Sequence, residues 1–469
     1  MPHLPAAPNE QPIPHSRFPT MRLSRFFGGG KANDPEEPDR GDETAAIDET
    51  APEPEEGDGI PEGDRDIDLD LEWRERAGDV IPGGASTGSK RLAALYGDEA
   101  TGRPTHYVRA SGCHITTAGE RTLIDCTMAL GSVTLGYGDE AVTRAVVQAA
   151  ASGHVAGLSH TSEVVVAERL CDIVPCAEQV RFLKSGAEAV AAAVRIARTY
   201  TGRNHVVGSG YFGWHDWASD DAGVPASVKA NFTRAAFDDI AALEAACGRA
   251  GEDLAAIVIE PVVERLPSRE WLDAARRLCD AQGAVLVFDE IKTGFRLRPG
   301  GYQEYAGIEP DLATFGKAMA NGFPIAAVLG RADVMQAATR TWISSTLAGE
   351  ATALAAVAAV LDWHERAEVC DTLWSTGEEM MGAVRRAVTA SGLPGVTVDG
   401  IAPMWLVKFE DRALETRFLE LAFDEGVLFK RGAYNYASLA HDEETIIAIE
   451  AAASSALVHA AEELEEDRA

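Results

Sequence analysis

From about Val80 onward the chain alternates short Val- and Ile-rich runs with amphipathic stretches, and no other feature narrows the possible folds as much. Gln179–Leu183 leads into a helix predicted over Ala187–Tyr200, and His205–Gly208 leads into a loop. Leu254–Ile259 precedes a helix predicted over Arg269–Ala281, Ala284–Phe288 ends in Asp289-Glu290, and Ile325–Leu329 reads as a further strand. Short apolar runs between amphipathic helices predict an α/β fold, with a mostly parallel sheet covered on both faces. Ligands of such sheets sit beyond the carboxyl ends of the strands, so chemistry is sought just after each run. Outside this unit, His106–Asp125 alternates around Ala118-Gly119-Glu120, the pattern of a small antiparallel element with a turn. Ala351 to Ala387 reads as one long helical stretch, Val396–Val398 and Trp405–Phe409 as strands, and Glu443–Glu463 as a final helix. The resulting division is an acidic tail over residues 1–78, a segment of a smaller α+β domain over 79–135, a large domain over 136–385, and the rest of the small domain over 386–469.

Charge is concentrated at one end. The formal net charge is −32, and between Ala32 and Glu72 stand 18 Asp or Glu against Arg40 and Arg65. With recurring proline and little apolar surface to bury, that segment is predicted to be disordered. The acidic balance argues against nucleic acid as a partner, because phosphate neutralisation needs clustered Lys and Arg. The longest apolar stretch, Thr352–Leu361, is too short for a bilayer, so no membrane span is expected. Arg22, Arg25 and Lys31 flank Phe26-Phe27 without an apolar core after them, which reads as a flexible tail of unknown partner rather than a secretion signal. The seven cysteines are scattered and form no C-x-x-C pair, as expected of reduced thiols in a cytoplasmic protein without a metal site.

Three strand ends carry residues suited to chemistry. In Leu183-Lys184-Ser185-Gly186-Ala187-Glu188 a small-residue turn opens a helix, whose free N–H groups and dipole favour an anion. In Phe288-Asp289-Glu290-Ile291-Lys292 an acidic pair ends a fully apolar strand, and such a pair needs a partner if buried. In Asp311-Leu312-Ala313-Thr314-Phe315-Gly316-Lys317 a lysine sits in an apolar, small-residue setting. Desolvation depresses the pKa of such an amine and suits it to carbonyl chemistry.

Taken in order, S-G-A-E-A, Tyr211-Phe212-Gly213-Trp214-His215-Asp216-Trp217, I-E-P, F-D-E-I-x-T-G-F-R and F-G-K resemble the class III, fold-type-I pyridoxal-phosphate aminotransferases. The branch most similar is that of glutamate-1-semialdehyde aminomutase, and the resemblance runs from about Ile81 to the C-terminus, taking in Ser438-Leu439-Ala440-His441. It implies a large domain with a seven-stranded, mostly parallel sheet, a smaller α+β domain, and pyridoxal 5'-phosphate as cofactor. Lys317 would form the Schiff base, and Asp289 would pair with the protonated pyridine nitrogen. Ser185, Gly186 and Ala187 would hold the phosphate, Tyr211 and Ile291 would press on the two ring faces, and Phe212 and Glu260 would line the cofactor. Thr346, in Ser344-Ser345-Thr346-Leu347-Ala348-Gly349, matches the residue that reaches the neighbouring subunit's phosphate, which implies a homodimer with shared active sites.

Some positions depart from the family pattern. Ala187 replaces a usual threonine, Phe212 a histidine, and Lys292 a Gln or Met beside the cofactor's phenolic oxygen. Glu350 replaces an Asn, and Ala320-Asn321-Gly322-Phe323-Pro324 replaces a glycine run of the mutases. Lys292, Glu350 and Arg431 are the residues expected to face substrate, Glu350 repelling a carboxylate and Arg431 able to clamp one. The expected activity is transfer of an amino group from a small-molecule donor such as glutamate to an aldehyde or ketone, a sugar or specialised metabolite among them. The alternatives are the intramolecular aminomutase reaction and a cofactor-binding descendant without catalysis.

Overall fold

A computed structural model describes residues 68–97, 100 and 102–468, with side chains as far as 463. The acidic segment before Asp68 and the Arg22–Lys31 stretch lie outside the described residues. Fourteen strands are present among the described residues. In chain order they are β1 (Tyr107–Ser111), β2 (His114–Thr117), β3 (Thr122–Asp125), β4 (Gln179–Leu183), β5 (His205–Ser209), β6 (Phe232–Arg234) and β7 (Leu254–Ile259). They continue with β8 (Val285–Asp289), β9 (Leu312–Phe315), β10 (Ala326–Gly330), β11 (Val396–Ile401), β12 (Met404–Phe409), β13 (Val427–Leu428) and β14 (Asn435–Tyr436).

The central sheet has seven strands in the order β4-β10-β9-β8-β7-β5-β6. All are mutually parallel except β10, which runs against both β4 and β9. Successive residues of each strand enter different cores. Val206, Ala256, Val258, Val285, Val287, Leu312 and Val328 pack with Ala189, Val190 and Ala193 of the helix Gly186–Thr201 on one face. Val207, Ile257, Ile259, Leu286, Phe288, Phe315 and Leu329 pack into the larger cluster on the other. This period-2 division is why the strands read as unbroken apolar runs: neither face meets water.

Two smaller sheets flank this unit. One has the order β1-β2-β3-β13, in which β13 joins β3 in parallel, and the other β11-β12-β14. The stretch from Ala351 is two helices rather than one, Ala351–Arg366 and Val369–Ser391, because Ala367 takes an extended conformation (φ −142°, ψ 151°) between them. No Pro or Gly marks the break. The last helix, Glu443–Arg468, does contain a stretch (Glu443–Glu463) long and apolar enough by length and composition to cross a membrane. That differs from the sequence expectation. Ile449, Ala452, Ala453, Ala456, Leu457 and Ala460 of that helix are fully or nearly buried in the larger core, as a packed core helix requires.

The tail assigned to residues 1–78 is also shorter than expected, since Leu69–Val80 is helical. Asp68 caps it, accepting from the Asp70 and Leu71 N–H groups. Asp70 anchors it: the carboxylate accepts from Thr117 Oγ1 (3.0 Å) and Gly119 N (2.8 Å), gripping the turn between β2 and β3. A charge in the middle of an acidic run thus has a buried job that composition hides. Asp70→Ala leaves two donors unpaired at about 1–3 kcal/mol, so a lowered melting temperature with unchanged secondary structure by circular dichroism is the expected result.

Candidate active site

Five parallel strands deliver the candidate residues from their carboxyl ends: Ser185 after β4, Tyr211 after β5, Glu260 after β7, Asp289 closing β8, and Lys317 after β9. At the first, Ser185 and Glu188 form a reciprocal capping box. Ser185 Oγ accepts from Glu188 N (3.3 Å), and Glu188 Oε2 accepts from the N–H groups of Lys184 (2.9 Å) and Ser185 (3.0 Å). The box leaves the N–H groups of Gly186 and Ala187 unused at the positive end of a sixteen-residue helix. The loop after β5 passes over that turn, with Gly213 (φ +84°) so near that a Cβ there would stand 2.5 Å from Ala187 Cβ. Ala187 therefore suits the close approach, where a larger side chain would push the loop away.

Ile291 is wedged between two glycines. A Cβ on Gly186 would lie 3.1 Å from its Cγ2, and one on Gly316 3.1 Å from its Cδ1. The absence of side chains there lets the helix start, the end of β8 and the end of β9 converge on one apolar platform.

The acidic pair ending β8 divides its work. Glu290 is fully buried and accepts from Thr293 Oγ1 and from the N–H groups of Tyr302 (2.8 Å) and Gln303 (2.9 Å), capping the helix Gly301–Ala306. Burial raises its pKa against those hydrogen bonds. Asp289 has two donors, Ile291 N (3.1 Å) and Thr314 Oγ1 (3.2 Å), and both fall on Oδ1. Burial and the nearby Glu260 charge push Asp289 up to about 7, against its two hydrogen bonds and the Lys317 charge.

Lys317 adopts a left-handed backbone (φ +45°), a conformation that costs an L-residue about 1–2 kcal/mol. Its amine has no hydrogen-bond or ion-pair partner among the described residues. Burial and the Lys292 charge bring it down to about 8, against the pull of Asp289 and Glu260. Lys292 is held elsewhere, its Nζ 2.6 Å from Glu260 Oε1 and 4.2 Å from the Tyr434 ring centre. Glu260 Oε2 accepts from Tyr211 N (3.0 Å).

Other expected residues lie apart. The Phe212 ring is buried against Trp217 and Phe232, part of the core under the loop rather than a lining of the site. Tyr211, its neighbour, is 73% exposed. Thr346 is exposed on the segment 341–349, which borders a separate cavity of about 470 Å³ with His154, His160 and Arg181. Glu350 does not offer its charge to a substrate: it caps the helix Ala351–Arg366 and pairs with Lys184 Nζ at 2.8 Å. Burial opposes its ionisation, yet Lys184 and Thr352 outweigh that and hold its pKa below the ordinary value. Arg431 is committed to Glu415 (3.3 Å) and the Ala93 carbonyl (3.2 Å).

Sequence reasoning passed over Arg296. It is fully buried, without a carboxylate partner among the described residues, and donates to the carbonyls of Gly131 (2.5 Å), Pro403 (3.3 Å) and Ala437 (3.4 Å) over the Tyr436 ring. Burial lowers its pKa to about 10. It pins the left-handed turn Met128–Gly131 beside the site. Asn321 pins the next residues, its Oδ1 accepting from Thr134 N and Leu135 N (both 3.0 Å) while its Nδ2 donates to the Gly136 carbonyl.

The unpaired amine, the unneutralised Asp289, the vacant helix N–H groups and the Ile291 platform fit pyridoxal phosphate at its four distinctive parts: aldehyde, ring nitrogen, phosphate and ring face. The comparisons agree. The aminotransferase class-III family profile matches residues 96–212 and 220–441. Glutamate-1-semialdehyde 2,1-aminomutase of Polynucleobacter necessarius is 31% identical over 423 residues, covering 81% of this chain and 96% of its own. Among solved structures, the PLP internal aldimine form of FumI from Sphingopyxis sp. MTA144 is similar with a TM-score of 0.80 at 27% identity, covering 85% of this chain and 97% of that one. An omega-transaminase from Sphaerobacter thermophilus is similar with a TM-score of 0.76 at 25% identity, covering 84% and 98%.

Proposed function

As a member of the class-III aminotransferases, the chain is a pyridoxal-phosphate-dependent enzyme of fold type I, and we propose that it carries an amino group from a donor such as glutamate to an aldehyde or ketone. The observation that carries the reading is the desolvated Lys317 amine after β9, without a hydrogen-bond or ion-pair partner among the described residues, and the buried Asp289 that ends the neighbouring β8, each shifting the other's charge. The cofactor, when bound, supplies an electron sink for negative charge developing on the substrate carbon. Lys317 Nζ would hold the cofactor at rest and, once displaced by substrate, would serve as the base that takes the proton from the substrate carbon and as the acid that gives it back. Asp289, through the oxygen its two donors leave free, keeps the ring nitrogen protonated. The N–H groups of Gly186 and Ala187 would hold the phosphate at the helix start, and Ile291 and Tyr211 would press on the ring.

Intermolecular transfer is favoured over the aminomutase reaction by Asn321. A mutase must retain its diamino intermediate, which calls for a mobile closure. Here the segment after Lys317 is tied to residues 134–136 by three hydrogen bonds of one side chain. Glu350 does not bear on this choice, since that acid is neutralised by Lys184. The test supplies glutamate-1-semialdehyde without any separate amino donor. Transferase activity gives no sustained 5-aminolevulinate until a donor is added, whereas its sustained formation reverses the ordering. A homodimer is part of the same reading, supported by Leu158 and Trp342, 86% and 81% exposed in the single chain and near Thr346 in sequence or cavity. Seven free thiols fit a cytoplasmic setting.

A further inference from the structure

Two lysines share the buried end of the sheet and are treated in opposite ways. Lys292 Nζ and Glu260 Oε1 are 2.6 Å apart, with both side chains 10% exposed. Glu260 cannot swing toward either Asp289 or Lys317, because its other oxygen holds the Tyr211 N–H. Burial works against the Lys292 charge, but Glu260, Tyr434 and Tyr436 outweigh it and keep its pKa above the ordinary lysine value. Lys317 meets the reverse balance. Burial and the Lys292 charge lower it, Asp289 and Glu260 oppose, and Arg296 adds to the fall.

We propose that Lys292, clamped by Glu260, is a positioning residue whose fixed ammonium makes Lys317 the amine that is released to its neutral form. The proposal rests on Lys317 being the cofactor-anchoring lysine. Only a neutral amine adds to an aldehyde: its lone pair forms the new N–C bond, and the carbonyl oxygen leaves as water with the amine's two protons. In a site with two exchangeable lysines, either could make that bond. The ion pair removes Lys292 from the competition, and since Lys292 follows Ile291, whose Cδ1 lies 3.1 Å from where a Cβ on Gly316 (the residue before Lys317) would stand, its fixed positive charge disfavours a second ammonium on Lys317. Lys292 thus acts through Lys317 without touching the reacting carbon.

The experiment uses the full-length enzyme loaded with pyridoxal phosphate and follows the pH midpoint of its visible absorption band. Lys292→Met raises the midpoint by about one pH unit and slows uptake of the cofactor by stripped enzyme at neutral pH by about tenfold, the matching loss of neutral amine. Lys292→Arg keeps the charge and restores the wild-type midpoint. The double variant Lys292→Met/Glu260→Gln shifts less than Lys292→Met alone, because Glu260 no longer adds an uncompensated negative charge. Should Lys292→Met fail to fold, Lys292→Gln, which can still hydrogen-bond Glu260, gives the same upward shift. An unmoved midpoint with the borohydride-reduced cofactor mapped to Lys317 overturns the proposal alone. An adduct mapped to Lys292 overturns both it and the reading beneath it.

Discussion

Lys317→Gln abolishes measurable transamination, a fall in turnover of at least about three orders of magnitude, since loss of a positioned general acid–base alone costs about 10²–10⁴. The variant loses more than a proton carrier, because the same amine anchors the cofactor. Glutamine, like lysine, is unbranched at Cβ, so the left-handed backbone at this position carries no new penalty. The variant should still fold and bind cofactor through the phosphate and ring contacts, but exchange it freely on dialysis. Two measurements check this: turnover with a saturating donor and acceptor, and peptide mapping of the wild-type protein after borohydride reduction. A reduced adduct on Lys184 or Lys292 would refute the assignment. The structure argues against both, since Lys184 Nζ is paired with Glu350 and the Pro324 carbonyl, and Lys292 with Glu260.

Asp289→Asn produces the second large effect. An amide cannot keep the ring nitrogen protonated, so carbanion stabilisation weakens and turnover drops by several orders of magnitude. Loss of a charge-assisted hydrogen bond also costs about 1.5–3 kcal/mol of cofactor affinity, roughly ten- to a hundredfold in Kd. Glu290 cannot take over, because its carboxylate is enclosed by Thr293 and the start of the helix Gly301–Ala306. Near-normal activity in Asp289→Asn would instead point to Glu260. The pH dependence follows from the raised pKa. Without cofactor Asp289 titrates at about 7, against about 3.9 in an unfolded chain. Between those values the folded protein holds a proton that the unfolded chain has released, so its stability falls as pH rises through this window. A protonated ring nitrogen offsets that loss. The gain in melting temperature on loading the cofactor should therefore grow from about pH 4 to about pH 7 and level off above that, and Asp289→Asn should flatten that growth.

Much of this site was legible because its strands are buried on both faces. β4, β5, β7, β8 and β10 stand out as apolar runs, and four of the five candidate strand ends follow such runs, while the fifth, at β9, carries the F-G-K motif. β6 is only three residues long and β13 and β14 two each, too short for any periodicity to show. Pairings between distant residues were not legible at all. Nothing local couples Glu350 to Lys184, or Lys292 to Glu260, so an acid that reads as a substrate filter is a helix cap and a lysine that reads as a cofactor contact is half of an ion pair. Phe212 misled for a related reason. It occupies a position next to a functional tyrosine, but alternation along an extended loop sends neighbouring side chains in opposite directions, and its ring went to the core. Arg296 had a signal, a cation between Phe295 and Leu297 that are both fully buried, and weighing that apolar setting would have found it.

The placing of β10 has a consequence for how the enzyme is made. β4 leads into the turn proposed to bind phosphate, yet its only sheet neighbour among the described residues is β10, and the tie from Lys184 to the Pro324 carbonyl spans 140 residues. A chain emerging from the ribosome N-terminus first exposes Ser185 and Gly186 long before Lys317 exists. Until β9 and β10 arrive, β4 is an unpaired apolar edge, open to aggregation. The same late hairpin that covers this edge brings the lysine. Completion of the sheet and competence to capture the cofactor thus become a single event in biosynthesis, and a nascent or truncated chain ending before Gly330 would be both sticky and colourless.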